Sequence, residues 1–160
     1  MTIEVGSKLP AAEMQRKTSS GIDAVSTEDL FAGKKVAFFA LPGAFTPTCS
    51  AKHLPGYLAE ADALKAKGID AIICLSVNDA HVMKAWGDDQ NVGDVVDMIA
   101  DGSVNFTKAV GLDADFSAFG MGVRSQRYSM IVNDGVVEAL NIEAPGAFEV
   151  STVEHMLGQL

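Results

Sequence analysis

The sequence has few basic residues, and they do not cluster. Twelve Lys and Arg stand against 21 Asp and Glu, the formal net charge is −9, and no basic run exceeds a pair such as Lys34-Lys35. Nucleic acids and anionic membrane surfaces are bound through clustered positive charge. The composition therefore argues against both as partners.

Long apolar runs are also missing. The longest is Val36–Leu41, whereas a membrane-spanning helix needs about 20 apolar residues, and Met1–Pro10 lacks the apolar centre of a signal peptide. With 48% of its residues apolar, the chain can still bury a sizeable core. We expect residues 1–160 to form a single domain in a soluble, cytoplasmic protein.

Cysteine is scarce as well. Cys49 and Cys74 lie 25 residues apart, which is neither a CxxC pair nor a disulfide framework, so a reducing compartment fits best. His53, His81 and His155 are scattered singly, whereas a structural zinc site needs about four Cys or His ligands. We expect neither a metal nor another cofactor.

Turn signals and hydrophobic periodicity predict an α/β fold with a central mixed β-sheet flanked by helices and an N-terminal β-hairpin. The predicted elements are a hairpin over Ala12–Thr27, a short helix through Phe31 capped by Ser26 or Thr27, a buried strand Val36–Leu41, a helix Cys49–Lys67 kinked near Pro55, a strand Ile69–Val77, a helix Ala80–Gln90, a strand Asp94–Ala100, a short helix Asn105–Val110, an irregular loop Leu112–Val123, a hairpin of Arg127–Val132 with Val136–Asn141, and a final helix at about Ser151–Leu157.

Cys49 follows the central predicted strand, in the stretch VAFFALPGAFTPTCS, Val36–Ser50. A stiff loop with two prolines joins that strand to a predicted helix that begins at the cysteine. The unpaired N–H groups that open a helix favour a thiolate, and open α/β sheets place ligands at the ends of parallel strands. A nucleophilic Cys49 is therefore favoured over the alternative, an inert buried cysteine.

Two threonines bracket Pro47 in this loop. Thr48 is placed to cap the helix, a role that stabilises by about 1 kcal/mol. Thr46, three residues before the sulfur, fits two roles equally well. Its hydroxyl either caps the helix or lies against the thiolate or a substrate oxygen.

Two arginines precede the last hairpin. We expect Arg124 to be a solvated charge, whereas Arg127 abuts the apolar run YSMIV and is drawn towards the sheet end, where it needs an anionic partner such as a thiolate. Cys74 lies mid-strand and is predicted to be buried and inert, with a disulfide to Cys49 as the alternative. His53 is interpreted as a satisfied structural histidine rather than as half of a Cys-His dyad.

The segment PGAFTPTCS, Pro42–Ser50, resembles the active-site segment of the peroxiredoxins, specifically the atypical type II or peroxiredoxin-5-like subfamily. The resemblance extends in the same order through KHLPGY, CLSVND, Trp86-Gly87 and RYSMIVNDG. It implies a thioredoxin-like fold and a thiol peroxidase whose peroxidatic cysteine is Cys49, with Pro42, Thr46 and Arg127 completing the site. It also implies a homodimer, for which Phe45 and the Leu112–Val123 loop are candidate interface elements.

A lowered thiol pKa alone does not make a peroxidase. A drop from about 8.5 to about 6 raises the thiolate fraction at pH 7 about thirtyfold. A Brønsted slope of about 0.4–0.5, taken from thiol–disulfide exchange, removes roughly tenfold of that gain because the thiolate becomes less nucleophilic. The remaining rate must come from aligning the peroxide and stabilising its leaving oxygen, which we assign to Arg127, Thr46 and the loop amides.

The chain departs from part of that subfamily in its C-terminal segment. Some members carry a resolving cysteine there, but Ala144–Leu160 has none. We therefore expect an external thiol, glutathione with glutaredoxin or thioredoxin, to reduce the oxidised Cys49. A non-catalytic redox sensor or holdase is the alternative, while a thiol–disulfide oxidoreductase is disfavoured because Thr46 stands where CxxC requires a cysteine.

Overall fold

The architecture is a seven-stranded mixed sheet in a computed structural model that describes residues 1–160. Its strands are β1 (Glu13–Thr18), β2 (Gly21–Ser26), β3 (Lys35–Leu41), β4 (Ala71–Ser76), β5 (Asp97–Ala100), β8 (Tyr128–Asn133) and β9 (Val136–Ile142), while β6 (Asp113–Asp115) and β7 (Val123–Ser125) form a separate two-stranded ribbon. The strand order in the sheet is β2-β1-β5-β4-β3-β8-β9. The pairs β3–β4 and β4–β5 are parallel, and the other pairs are antiparallel.

Six α-helices cover the two faces of the sheet. They are α1 (Thr27–Phe31), α2 (Leu54–Ala59), α3 (Ala61–Ala66), α4 (Ala80–Asp89), α5 (Asn105–Ala109) and α6 (Val153–Leu157). Buried residues of α2, α3, α4 and α6 belong to one apolar cluster, and those of α1 and α5 belong to the other. The predicted α/β fold, with a mixed sheet between helices, is confirmed.

Strand β3 lies in the interior of the sheet, between β4 and β8, and is buried on both faces. Phe38 packs in one apolar cluster and the adjacent Phe39 in the other, as alternate side chains of a strand must. This explains why the predicted run was apolar without alternation. The strand ends at Leu41, so the loop that follows leaves the sheet beside the carboxyl end of its parallel neighbour β4.

Both predicted hairpins and the predicted start of α1 are confirmed. β1 pairs with β2 and β8 pairs with β9 in antiparallel register. Ser26 caps α1 by accepting from the Asp29 N–H, while the Asp29 carboxylate accepts from the Ser26 N–H. The last hairpin turns at Asp134 and Gly135, which have φ values of 48° and 78°, the left-handed conformations that a tight hairpin turn requires.

The predicted helix Cys49–Lys67 is wrong in its details. Its first turn, Cys49–His53, is a widened π-helical turn, and the break between α2 and α3 falls at Glu60 (φ −104°, ψ 15°) rather than near Pro55. The Leu54 N–H reaches back to the Cys49 carbonyl. Pro55, two residues beyond this turn, has no N–H to donate, and the widened turn is the helix irregularity that lies next to it.

The segment Leu112–Val123, predicted as an irregular loop, contains more structure than expected. β6 and the first residue of β7 lie within it, and a short 3₁₀ turn, Ser117–Phe119, lies between the two strands. Strands of three residues carry too little alternation to be recognised in sequence. None of the helices is long and apolar enough to cross a membrane.

Candidate active site

Cys49 begins the π-helical turn that follows the β3 loop, and its side chain is fully buried. The loop reaches this point through Phe45, whose φ of 63° is left-handed and whose ring is 53% exposed. A non-glycine residue in this conformation is uncommon and marks a locally constrained backbone. The sulfur therefore lies below the protein surface, at the start of a helix and at the end of the central strand.

Arg127 contacts this sulfur directly. It immediately precedes β8, which pairs antiparallel with β3 so that Tyr128 lies opposite Ala40. That register brings Arg127 to the end of β3, and its Nη2 donates to Cys49 Sγ at 3.1 Å. Burial disfavours a thiolate, whereas a guanidinium donor stabilises one. The contact expected from the sequence is present.

His53 supplies the second partner of the guanidinium. Arg127 Nη1 lies 2.8 Å from His53 Nδ1, and His53 Nε2 lies 3.1 Å from the Ser151 carbonyl oxygen. The carbonyl only accepts, so the ring hydrogen lies on Nε2 and Nδ1 accepts from Arg127. Burial, and then the Arg127 charge, lower the pKa of His53 to about 3. The histidine is buried and hydrogen-bonded, as predicted, but its bond to Arg127 was not foreseen.

Thr46 and Thr48 behave differently from each other. Thr46 Oγ1 donates to the Gly43 carbonyl at 2.6 Å, which leaves its oxygen free to accept another hydrogen bond. Thr48 makes no capping hydrogen bond, so the predicted cap is wrong. Its backbone is already helical (φ −67°, ψ −37°), whereas a capping side chain needs an extended backbone.

Arg124 is not the solvated charge that the sequence predicted. Its Nε donates to the Met121 carbonyl at 2.8 Å and its Nη1 to the Pro42 carbonyl at 3.3 Å. The β6–β7 ribbon folds the guanidinium over the loop that carries Pro42. A Cβ on Gly43 would lie 3.1 Å from both Arg124 Nη1 and Thr46 Cγ2, so a side chain at this position would crowd both residues. This contact of Arg124 with the Pro42 loop could not be predicted, because strands as short as β6 and β7 leave no recognisable pattern in the sequence.

Asn78 holds the other side of the same loop. Its Oδ1 accepts from the Ala44 N–H at 3.0 Å and from the Ser76 hydroxyl at 2.6 Å. Nothing in the sequence predicted this contact. The neighbouring Asp79 caps α4. The contact joins residues that are 34 positions apart. Only the pairing of β3 with β4 brings them together.

A cavity of about 990 Å³ opens above the loop. Its walls are mostly apolar and small side chains from three segments, namely Pro42, Thr46, Pro47 and Thr48 from the β3 loop, Ala114, Asp115, Phe116, Phe119 and Met121 around the ribbon, and Gln126, Arg127 and 143–147 beyond it. Cys49 is not among the lining residues, but Thr46 lines the cavity and so does Arg127, whose guanidinium contacts the Cys49 sulfur. A small substrate in the cavity would meet both side chains before reaching the sulfur.

Cys74 is fully buried in β4 and, like Cys49, is a free thiol. Burial, and then the neighbouring Cys49, raise the pKa of the Cys74 thiol well above its ordinary value. A protonated thiol is a poor nucleophile. These properties agree with the predicted buried and inert side chain.

Comparison with known proteins identifies the family. The model of the Redoxin family matches residues 4–157. Peroxiredoxin-2E-2, chloroplastic, of Oryza sativa is 48% identical over 99% of this chain and 73% of that protein. Reduced Prx3 of Vibrio vulnificus in complex with H2O2 is 54% identical with a TM-score of 0.95, covering 99% of each chain. A putative thioredoxin reductase of Burkholderia cenocepacia is 51% identical with a TM-score of 0.97, covering 100% of this chain and 99% of that one.

The fold and these matches define a redoxin with the thioredoxin-like fold. Within that family the chain is a peroxiredoxin, and hence an oxidoreductase of the thiol peroxidase class. The resemblance seen in the sequence is confirmed. Membership of this family fixes the class of reaction.

Proposed function

We propose that the chain reduces hydrogen peroxide and alkyl hydroperoxides through Cys49. The single observation that carries this proposal is the 3.1 Å hydrogen bond from Arg127 to Cys49 Sγ beneath the apolar cavity. The guanidinium compensates a buried thiolate and leaves further N–H groups for a peroxide oxygen. The apolar walls, lined by Phe116 and Met121 among others, suit an alkyl group.

The proposed reaction breaks one O–O bond and forms one S–O bond. The Cys49 thiolate attacks one peroxide oxygen and becomes a sulfenic acid. The other oxygen leaves with the electron pair of the bond and takes a proton from solvent to become water or an alcohol. Arg127 donates to the oxygen on which charge develops. Thr46 Oγ1 accepts a hydrogen bond from the peroxide O–H through its free lone pair and so orients the peroxide. Pro42 stiffens the loop that carries Thr46 and leads to Cys49.

The oxidised cysteine is reduced by an external thiol. One thiol, such as glutathione, displaces water from the sulfenic acid to form a mixed disulfide, and glutaredoxin or thioredoxin then releases Cys49. Two features support this cycle. The segment Ala144–Leu160 contains no cysteine, and Cys74 is buried with a raised pKa.

Steady-state peroxide consumption tests the proposal. Hydrogen peroxide and an alkyl hydroperoxide are each supplied with the glutathione–glutaredoxin system and, separately, with the thioredoxin system. We expect turnover with at least one pair and none in Cys49→Ser. Persistent turnover in Cys49→Ser would refute the assignment of the nucleophile.

The role of Cys74 needs its own measurement. Peroxide-treated wild type and Cys74→Ser are compared by intact-mass spectrometry before and after thiol is added. We expect both proteins to pass through a mixed disulfide and to recover the reduced mass. If Cys74→Ser cannot be recycled by added thiol while wild type can, Cys74 is the resolving cysteine.

A redox sensor or holdase is the second candidate function. The fully buried Cys49 favours it, because a bulky reductant has no direct path to a sulfur below the surface. Stoichiometric oxidation without turnover would support this role.

We further propose that the protein is cytoplasmic and forms a homodimer, with the exposed Phe45 and the Leu112–Val123 segment, which carries Phe119, at the interface.

A further inference from the structure

His53 is the only side chain besides Cys49 to which the Arg127 guanidinium is hydrogen-bonded. Nη2 donates to Cys49 Sγ and Nη1 to His53 Nδ1, at 3.1 and 2.8 Å. Two bonds from a planar group fix its orientation, whereas one bond leaves it free to rotate. The imidazole therefore sets the direction in which Nη2 points.

The imidazole is itself held rigidly. Its ring packs against Phe39 at 4.9 Å and against Phe148 at 5.1 Å between centroids, and the residue is only 1% exposed. Its Nε2–H donates to the Ser151 carbonyl, which fixes the tautomer. A neutral ring with this tautomer offers a single lone pair, and that lone pair faces Arg127.

Glu143 in turn supports Ser151, the residue whose carbonyl binds His53. Its Oε2 accepts from the Ser151 N–H at 2.8 Å and from the Ser151 hydroxyl at 2.7 Å. The Ser151 carbonyl is thereby fixed in the position that receives His53. Glu143 also donates its backbone N–H to the Arg127 carbonyl at 3.0 Å. Both the side chain and the backbone of Arg127 are thus tied to the same segment.

We propose that His53 is the positioning residue of the site, a neutral Nδ1 acceptor that holds the Arg127 guanidinium in line with Cys49 and the incoming peroxide. This inference rests on the proposed function of Cys49. His53 does not touch the reacting atoms and carries no proton in the reaction. Its effect passes entirely through Arg127.

Two substitutions separate the hydrogen-bonding roles of the two ring nitrogens of His53. The amide of Asn ends near the position of Nδ1, so His53→Asn keeps an acceptor for Arg127 and loses the donor to Ser151. The amide of Gln reaches the position of Nε2, so His53→Gln keeps the donor and loses the acceptor. Tyr57→Phe is the matched control, because the Tyr57 hydroxyl donates to the same Ser151 carbonyl at 3.0 Å.

Oxidation of Cys49 by hydrogen peroxide is followed in single turnover through the fluorescence of Trp86. This sole tryptophan donates to the hydroxyl of Ser50, the neighbour of Cys49. We expect His53→Gln to lower the second-order rate constant about tenfold to one hundredfold, the loss typical of a catalytic group displaced by about 1 Å. His53→Asn should recover most of that loss, and Tyr57→Phe should stay within about twofold of wild type. If the loss in rate constant simply increases with the loss in melting temperature across all three variants, the proposal is overturned.

A double-mutant cycle separates positioning from general destabilisation. In the Arg127→Ala background, His53→Gln should change the oxidation rate constant by no more than about twofold, because the group it positions is gone. An undiminished effect in that background would show that His53 acts by another route, and the proposal would then be wrong.

Alkylation of Cys49 by iodoacetamide, in a Cys74→Ser background, keeps this test independent of peroxidase activity. We expect the pH midpoint of alkylation in His53→Gln to move towards that of Arg127→Ala, since the misaligned cation stabilises the thiolate less well. If wild-type Cys49 reacts with peroxide no faster than free cysteine, the proposed function fails, and this comparison alone decides the role of His53. An unchanged pH midpoint of alkylation in His53→Gln would overturn the proposed role of His53.

Discussion

Arg127 Nη2 lies 3.1 Å from Cys49 Sγ although 78 residues separate the two in the chain. The antiparallel pairing of β3 with β8 sets this distance. Arg127 immediately precedes β8 and therefore lies at the end of β3, from which the loop leads to Cys49. A shift of that pairing by one residue would turn every β8 side chain to the opposite face of the sheet. The site therefore depends on the register of the central strands.

Thr46 provides the first prediction. Thr46→Val removes the hydroxyl that donates to Gly43 and, in the proposed reaction, accepts from the peroxide. We expect the rate of Cys49 oxidation to fall about tenfold to one hundredfold, because one oriented hydrogen bond is lost from the transition state, and Thr46→Ser to restore most of it. Thr48→Val is the matched control, since Thr48 lines the same cavity without a capping bond. Equal losses at both positions would show that the Thr46 hydroxyl has no special role.

Arg124 provides the second prediction. Arg124→Met removes the hydrogen bonds to the Met121 and Pro42 carbonyls and leaves the Pro42 loop held from one side only, by Asn78. We expect the free energy of unfolding to fall by about 1–2 kcal/mol and the oxidation rate to fall as the loop loosens. Chemical denaturation and stopped-flow kinetics measure the two effects. If both the free energy of unfolding and the oxidation rate keep their wild-type values, Arg124 behaves as the solvated charge that the sequence predicted.

The buried His53 predicts sensitivity to mild acid. Its pKa in the folded protein is about 3, below the 6.5 of an exposed imidazole. The unfolded chain therefore binds one more proton as the pH falls below about 6.5, and the free energy of unfolding drops by up to about 1.4 kcal/mol per pH unit. This stabilisation is complete above that pH and is lost progressively down to about pH 3.

Denaturation between pH 7 and pH 5 isolates this effect, because most carboxylates are still ionised there. We expect about 2 kcal/mol of stability to be lost in wild type over this range and a flatter profile in His53→Gln. Parallel profiles in the two proteins would mean that His53 takes up its proton at the same pH in the folded and the unfolded chain, so that burial does not lower its pKa.

The exposed aromatic rings provide a prediction about assembly. Phe119 is 76% exposed at the tip of the β6–β7 ribbon, beside the cavity. Burial of such a ring at a subunit interface stabilises by about 2 kcal/mol or more. We expect light scattering after size exclusion to give a dimer for wild type and a weakened dimer for Phe119→Asp. Ile22→Asp, on the outer strand β2, is the control. A monomeric wild type would refute the interface.

The sequence predicted the features that depend on local pattern. Apolar runs placed β3 and β4, the Asp134-Gly135 pair placed the last turn, and the motif around Cys49 gave the family. These signals are contained in a few consecutive residues. They could be read without knowledge of the rest of the chain.

Contacts between distant segments were the part that could not be predicted. The roles of Arg124, Asn78 and His53 depend on which carbonyl, amide or guanidinium the sheet brings to each side chain. His53 was correctly interpreted as buried and hydrogen-bonded, but its partner Arg127 is 74 residues away. Periodicity also could not distinguish a π-helical turn from an α-helix at Cys49–His53, because the same apolar spacing fits both over five residues.

Arg127→Ala tests the central claim, that Arg127 acts on the peroxide in the transition state and does more than ionise Cys49. Two rate constants are measured on the same protein in a Cys74→Ser background, oxidation of Cys49 by hydrogen peroxide and alkylation of Cys49 by iodoacetamide, each across pH. We expect oxidation to fall by about a hundredfold or more, and alkylation at a pH where the thiol is fully ionised to change by less than about threefold. Losses of equal size in the two reactions would contradict the claim.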